Sequence, residues 1–205
     1  MEHKISRVEL RDLFRDQLND LSRLGYPVEI INEFKLKETE LLDKSEKINI
    51  PEGHLPFIPV VPESILSYRD QASFVSQMSY LKSTLDVRGQ RYYLLDKCRN
   101  TYAPIFGSKP YYLIDVALVN DSKLSGYLKI NHEEGFAIAA FKQELIMSKI
   151  VIAATACTWE GQETAIIHLD FLESGFGHRY TAADWGMVNT YSSDFVYGFC
   201  LHRLI

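Results

Sequence analysis

The sequence predicts an α+β fold in which an N-terminal helical hairpin packs on a mostly antiparallel β-sheet. Three observations predict it. Charge is concentrated early: residues 1–50 carry 9 Lys+Arg and 11 Asp+Glu, whereas residues 150–205 carry only 2 and 6. Apolar residues recur at helical spacing in the first fifty positions and in β-branched or alternating runs later. Finally, no strand is followed by a glycine-rich turn, which disfavours the alternative, a doubly wound α/β topology. The hairpin of residues 1–50 is read as part of the same domain as the α+β core of residues 51–205.

The elements follow in order. Ser6 and Glu9 have the spacing of a capping box, in which the hydroxyl accepts from a first-turn amide and the carboxylate reaches back. Leu10, Leu13, Phe14, Leu18, Leu21 and Leu24 then keep one helical face, and Gly25-Tyr26-Pro27 ends it, Gly25 suiting a left-handed cap. A second helix is expected over about Val28–Lys44, burying Ile30, Ile31, Phe34, Leu41 and Leu42. The apolar pattern lasts too few heptads for a coiled-coil partner site. Leu55–Pro62 is apolar and studded with proline, so it reads as an edge strand, since proline donates nothing to a ladder. Ser64–Leu85 reads as helix in pieces, Gly89–Leu95 as a short strand, and Cys98–Lys109 as a loop. Tyr111–Val119 is the clearest strand. Asn131 caps a helix with Glu133 and Glu134 in its first turn, and Phe136, Ile138, Ala139 and Phe141 form its buried set. Lys149–Thr158 fits either buried strand or buried helix. Thr164–Leu172 alternates as a strand, and Val196–Ile205, apolar on both faces, reads as a final central strand.

Composition narrows the function classes. The chain has 205 residues, 46% hydrophobic, with a formal net charge of −5. That is enough apolar matter for a packed core, which argues against intrinsic disorder, and the wrong sign for a general nucleic-acid binder. No apolar stretch approaches the ~20 residues that span a bilayer, and residues 1–24 are charged throughout, unlike a signal peptide. Cys98, Cys157 and Cys200 are widely spaced and form no CxxC pair, so a cytoplasmic, reducing environment is expected. A proline-bearing edge strand resists pairing and points to a monomer or weak dimer.

Leu24-Gly25-Tyr26-Pro27, Glu52–Pro62, Lys109–Val116 and Glu133–Ala139 together resemble an uncharacterised bacterial family with LPFxxVxP, PYLLVDV and EEG segments. Tyr197-Gly198-Phe199-Cys200-Leu201-His202-Arg203 matches that family's closing segment at Cys200 and Arg203, while Lys142-Gln143-Glu144 departs from it. The resemblance implies a cytoplasmic bacterial domain and no particular substrate.

Candidate site residues lie in the last third of the chain. Cys200 and His202, two apart on a strand, share a face, as a thiolate–imidazolium pair of a cysteine hydrolase or transferase would require. His168 and Asp170 repeat that spacing as a base and its orienting carboxylate. If their strand lay beside the last one, all four would converge. The competing reading is an inert buried thiol and a solvated sheet face. Phe176–Asn189 mixes aromatic and polar residues between glycines, as a binding loop does, with His178, Arg179, Asp184, Trp185 and Asn189 making directional contacts to a protein or small-molecule ligand. A long hairpin covering the sheet edge has the same composition. The spacing of His, Cys, Asp and Glu supports no metal motif, no phosphate-binding or cofactor-binding motif is present, and the basic run Arg88, Arg91, Lys97 and Arg99 reads as a solvated face.

Overall fold

The computed structural model describes residues 4–67, 70–71, 98–100, 109–120, 123–141, 151–153, 157–159, 167–173, 179–185 and 195–205. It has an α+β architecture: helices from the N-terminus pack on an antiparallel sheet. The helices are α1 (Arg7–Arg23), α2 (Val28–Leu36), α3 (Glu38–Ser45) and α4 (His132–Phe141). The strands are β1 (Leu55–Val60), β2 (Cys98–Asn100), β3 (Tyr111–Val119), β4 (Leu128–Lys129), β5 (Val151–Ala153), β6 (Cys157–Trp159), β7 (Ile167–Glu173), β8 (Arg179–Trp185) and β9 (Phe195–Leu204).

Local chemistry accounts for the helical ends. Ser6 and Glu9 form the expected capping box, the Ser6 side chain accepting from the Glu9 amide and Glu9 accepting from the Ser6 amide. At the far end Gly25 lies at φ 85, and its amide bonds Ser22 while that of Tyr26 bonds Leu21, a Schellman closure. The second predicted helix is two helices. Its chain breaks at Lys37 (φ −93, ψ −3), whose amide turns back to the Phe34 carbonyl in a tighter turn. That bend lets Phe34 and Leu41 both reach the core while Leu36, at the break, stays 81% exposed. Arg7 bonds both Asp43 and Glu46, which joins the start of α1 to α3.

The main sheet has the order β1-β3-β9-β4, with β5 also pairing with β9. All of these pairings are antiparallel except β5–β9, which is parallel. β9 is thus central, as its apolar sequence predicts, and β1 lies at the edge. Two glutamines cover carbonyls near that edge: Gln17 Nε2 donates to the Phe57 carbonyl at 2.9 Å, and Gln71 Nε2 to that of Val61 at 3.0 Å. Edge carbonyls held this way are not available to a second chain.

β3 is the sheet's other central strand and the hub of the core. Tyr112 contacts the rings of Phe14, Phe34 and Phe57, at centroid distances of 6.2, 5.0 and 5.9 Å. Around it Leu10, Leu18, Leu21, Ile31, Leu41 and Leu42 from the helices meet Ile114 and Leu204 from the strands. Residues that alternate with these on β3 and β9, Tyr111 and Arg203, bond the first turn of α4.

Elsewhere the structure refines the sequence reading. Cys98–Asn100, expected in a loop, is strand β2 paired with β6. The ambiguous Lys149–Thr158 segment contributes two short strands, β5 and part of β6. Gly89–Leu95 and most of Ser64–Leu85 lie outside the described residues.

Two substitutions test this packing. The Tyr112 hydroxyl is buried with no hydrogen-bond partner among the described residues. Tyr112→Phe should therefore leave stability unchanged or raise it by about 1 kcal/mol in urea unfolding, because it removes an unsatisfied polar group. At Gly198 a Cβ would overlap the fully buried Ile130 side chain. Gly198→Ala should cost about 1–3 kcal/mol in the same measurement, as overpacking does.

Candidate functional site

Strand β3 is apolar along its buried length except at Asp115, 1% exposed. A carboxylate there must be met by donors, because leaving it bare in an apolar layer costs several kcal/mol. Its backbone is also unusual: Asp115 has φ 51, the only positive φ among the described non-glycine residues. Left-handed geometry costs a non-glycine residue about 1–3 kcal/mol, and Asp and Asn tolerate it best. The register places Asp115 between the pairs Ile114↔His202 and Val116↔Cys200 on one side. On the other side it falls between Phe57↔Ile114 and Leu55↔Val116, facing Pro56, which has no N–H to lose.

Two similar turns supply the donors. The His54 amide closes a turn onto the Pro51 carbonyl at 3.1 Å with Gly53 at φ 85, and the Tyr127 amide closes one onto Leu124 at 3.2 Å with Gly126 at φ 82. Positive φ at the third position is the type II pattern that needs glycine. Each turn delivers its next residue at the start of a strand, His54 before β1 and Tyr127 before β4. His54 Nδ1 lies 2.6 Å from Asp115 Oδ1, and the Tyr127 hydroxyl donates to Oδ2 at 2.6 Å. The two rings meet edge to face, 5.8 Å apart at 89°.

This geometry fixes the imidazole. A carboxylate oxygen only accepts, so Nδ1 is the nitrogen that carries hydrogen, and the other face of the ring presents Nε2. The His54 side chain is 15% exposed, and Nε2 has no hydrogen-bond partner among the described residues. Burial and its bond to Asp115 hold the Tyr127 hydroxyl protonated well beyond the usual phenol range. The arrangement offers a partly exposed imidazole oriented by a buried carboxylate.

A second polar cluster lies at the first turn of α4. Asn131 and Glu134 cap the helix reciprocally, the Asn131 amide donating to Glu134 and the Glu134 amide to Asn131 Oδ1. Arg203 grips both oxygens of Glu134, which is fully buried, and donates to the Lys129 carbonyl. Tyr111 donates to Glu134 at 3.0 Å. Glu133 accepts from the Glu63 amide at 2.7 Å. Desolvation by burial, reinforced by the charges of Glu134 and Glu63, pushes the Glu133 carboxyl up to about 7. The two acids expected in the first turn of this helix are both buried. Glu63, Tyr111 and Arg203 come from three separate stretches of backbone, which makes the cluster a clamp between helix and sheet.

The residues expected from sequence are distributed differently. Cys200 and His202 lie two apart on β9, opposite Val116 and Ile114. No hydrogen bond joins them. Cys200 is fully buried, and desolvation, with the Glu134 charge second, pushes its thiol up to about 12. That is the opposite of what a nucleophile needs. Burial and the Lys44 ammonium lower the pKa of the half-buried His202. His168 and Asp170 are on β7, which pairs with β8 in a separate two-stranded sheet and runs beside β5. β9 pairs with β3, β4 and β5, so the strand adjacency that would bring His168, Asp170, Cys200 and His202 together is absent among the described pairings. Much of the expected loop is strand: Arg179, Asp184 and Trp185 belong to β8, with Asp184 opposite His168 and Trp185 opposite Ile167. The segment is held as a hairpin arm by its antiparallel ladder with β7, which runs from Ile167↔Trp185 to Glu173↔Arg179. His178 and Asn189 lie outside the described residues.

His54, Asp115 and Tyr127 were not among the expected site residues. The signal for them was an ionisable residue in the middle of the most apolar strand, with two glycine turns ending in His and Tyr. Among the described residues, no three His, Cys, Asp or Glu side chains gather as a metal ion would need, and no helix is long and apolar enough to cross a membrane. Fold and site together define an α+β protein with a carboxylate-oriented histidine. No protein family, characterised protein or solved structure matches the chain.

Two measurements check these environments. Cys200 should react with a maleimide at pH 7.5 at least about tenfold more slowly in the folded protein than in denaturant, read at that residue by mass spectrometry. Glu133 should impose a pH slope. Its folded pKa is raised from 4.5 to about 7, so between these values the folded state keeps a proton the unfolded chain has released. Stability therefore falls as pH rises through that window and levels off above it. Glu133→Gln should flatten the slope: the drop in unfolding free energy from pH 4.5 to pH 8 should be smaller than in wild type by roughly 2–3 kcal/mol, at about 1.4 kcal/mol per pKa unit.

Proposed function

We propose that the chain is a binding domain whose recognition centre is His54, held by Asp115 and Tyr127. The observation that carries this is the left-handed backbone at a buried aspartate, φ 51, in the middle of a strand. Strain of that kind persists where surroundings over-determine it, and it clusters at ligand-binding positions. Here it is joined to a partly exposed imidazole whose second ring nitrogen has no partner among the described residues. The ligand this suits is a small polar molecule offering a hydroxyl or amine hydrogen to Nε2. β8, which carries Arg179, Asp184 and Trp185, enters the proposal as a second contact surface on its composition alone. The same reading takes the protein as soluble and cytoplasmic, of the bacterial family type its segments resemble. Support comes from three scattered cysteines and a net charge of −5, which also disfavours a nucleic-acid partner. The covered β1 edge supports a monomer or weak dimer. A hydrolase or transferase working through Cys200 has less support, since the thiol is enclosed.

The test is a fragment screen of small alcohols, amines and carboxylic acids, followed through the imidazole NMR signals of His54. Fragments should shift those signals, and the binders should be lost in His54→Ala. If no fragment perturbs His54, or if binders persist unchanged in His54→Ala, the centre lies elsewhere.

A further inference from the structure

We propose that His54 is a general base, taking a proton from an activated C–H or O–H of a small polar substrate, with Asp115 and Tyr127 as its positioning residues. The inference rests on the reading of His54 as the recognition centre and goes beyond it to chemistry.

Three geometric facts argue for it together. A general base needs a lone pair that faces the substrate and a proton-bearing nitrogen that is held. The 2.6 Å approach of Nδ1 to Asp115 Oδ1 meets both needs, since it fixes the tautomer that leaves the lone pair on Nε2. The orienting carboxylate must itself be immobile. Its second oxygen accepts from Tyr127 at 2.6 Å and its side chain is buried, so each oxygen has a protein donor away from solvent. The imidazole must be reachable, and His54 keeps part of its surface open. A role limited to tying two turns to the sheet would need none of the third feature. It would also be met by a strain-free residue at position 115, whereas the chain keeps a left-handed aspartate there.

The contrast with the other imidazole on the sheet is informative. His202 is two residues from Cys200 and lies near a carboxylate only at longer range, with the Lys44 charge opposing its protonation. Among the described residues no hydrogen bond orients its ring. His54 instead combines an acceptor on one nitrogen with a second nitrogen that has no partner among the described residues.

The test uses the full chain and a probe that asks only for a base, the Kemp elimination of 5-nitrobenzisoxazole. In that step the Nε2 lone pair takes the C3 hydrogen, the C–H electrons become the second π bond of a nitrile, and the N–O bond breaks to release a phenolate. The imidazolium then returns its proton to solvent. Wild type should exceed an equal concentration of free imidazole by roughly 10²-fold, the lower end of what a positioned base supplies. His54→Gln should abolish the excess. Asp115→Asn tolerates the same left-handed backbone, yet its amide presents N–H to Nδ1 and favours the wrong tautomer. The excess should fall at least about tenfold in that variant. ¹⁵N imidazole spectra should show hydrogen on Nδ1 in wild type and on Nε2 in Asp115→Asn, a readout that a merely structural role would not move. Tyr127→Phe should keep the wild-type tautomer with a smaller loss of rate.

Wild type eliminating no faster than His54→Gln overturns the proposal, as does a neutral wild-type ring with its hydrogen on Nε2. Fragments that shift the His54 signals while elimination stays at the His54→Gln level would leave the binding reading intact and remove the base. Elimination without fragment binding would do the reverse.

Discussion

A carboxylate in the middle of a buried strand sets a demand that its own sheet cannot meet. Strand neighbours offer backbone N–H groups along the ladder, and at the level of Asp115 one neighbour is Pro56, which has none. The donors must therefore come from side chains that enter from the strand ends, and two turns of the same type bring them. Each turn precedes a strand, so satisfying Asp115 also pins where β1 and β4 begin. The position of the sheet's edges and the electrostatics of its centre are thus one constraint. Loss of either donor would leave a buried charge half-solvated, which costs more than an ordinary hydrogen bond contributes.

The face occupied by the helices obeys a simpler rule. Tyr112, one residue from Tyr111 and three from Asp115, stands on an aromatic cluster with Phe14, Phe34 and Phe57. These rings come from α1, α2, β1 and β3, so one contact set holds the helical layer against the sheet. The bend at Lys37 lies in the same layer, and the two short helices on either side of it both send apolar residues into this core. The strained aspartate thus sits in a strand that is clamped from both neighbours and packed by the helices. Rigid surroundings of that sort are what allow a left-handed residue to persist.

Local patterns in the sequence were informative wherever the cause of structure is local. The capping box at Ser6, the glycine stop at Gly25 and the apolar run Tyr111–Val119 each follow from a few adjacent residues, and each forms as read. The break at Lys37 was not legible, since Ile30, Ile31, Phe34, Leu41 and Leu42 fit one continuous helix equally well. The break is a tight turn at Lys37 inside an apolar pattern that does not change across it. The same holds for the site. Alternation placed Cys200 beside His202 correctly along β9, but the burial that disarms the thiol comes from β3, β4 and neighbouring charges. His54 and Tyr127 are 73 residues apart, and nothing in either segment announces the other. Asp115 was the available clue, a charge where the pattern called for Val or Ile.

Access to solvent separates the titratable groups gathered on this sheet more sharply than their identity does. Glu133 and Cys200 are enclosed, and in both desolvation is the largest cause of the shift, each favouring the neutral form. Such groups record their environment but cannot exchange a proton with a bound molecule. Arg203 and Glu134 neutralise each other across the α4 clamp. His54 differs because it keeps some exposure: one nitrogen is bound to Asp115, and the other has no partner among the described residues. A buried charge is costly to keep, and it is useful only if its field is delivered somewhere a ligand can reach. In this fold the imidazole of His54 is the route by which the field of Asp115 reaches the surface.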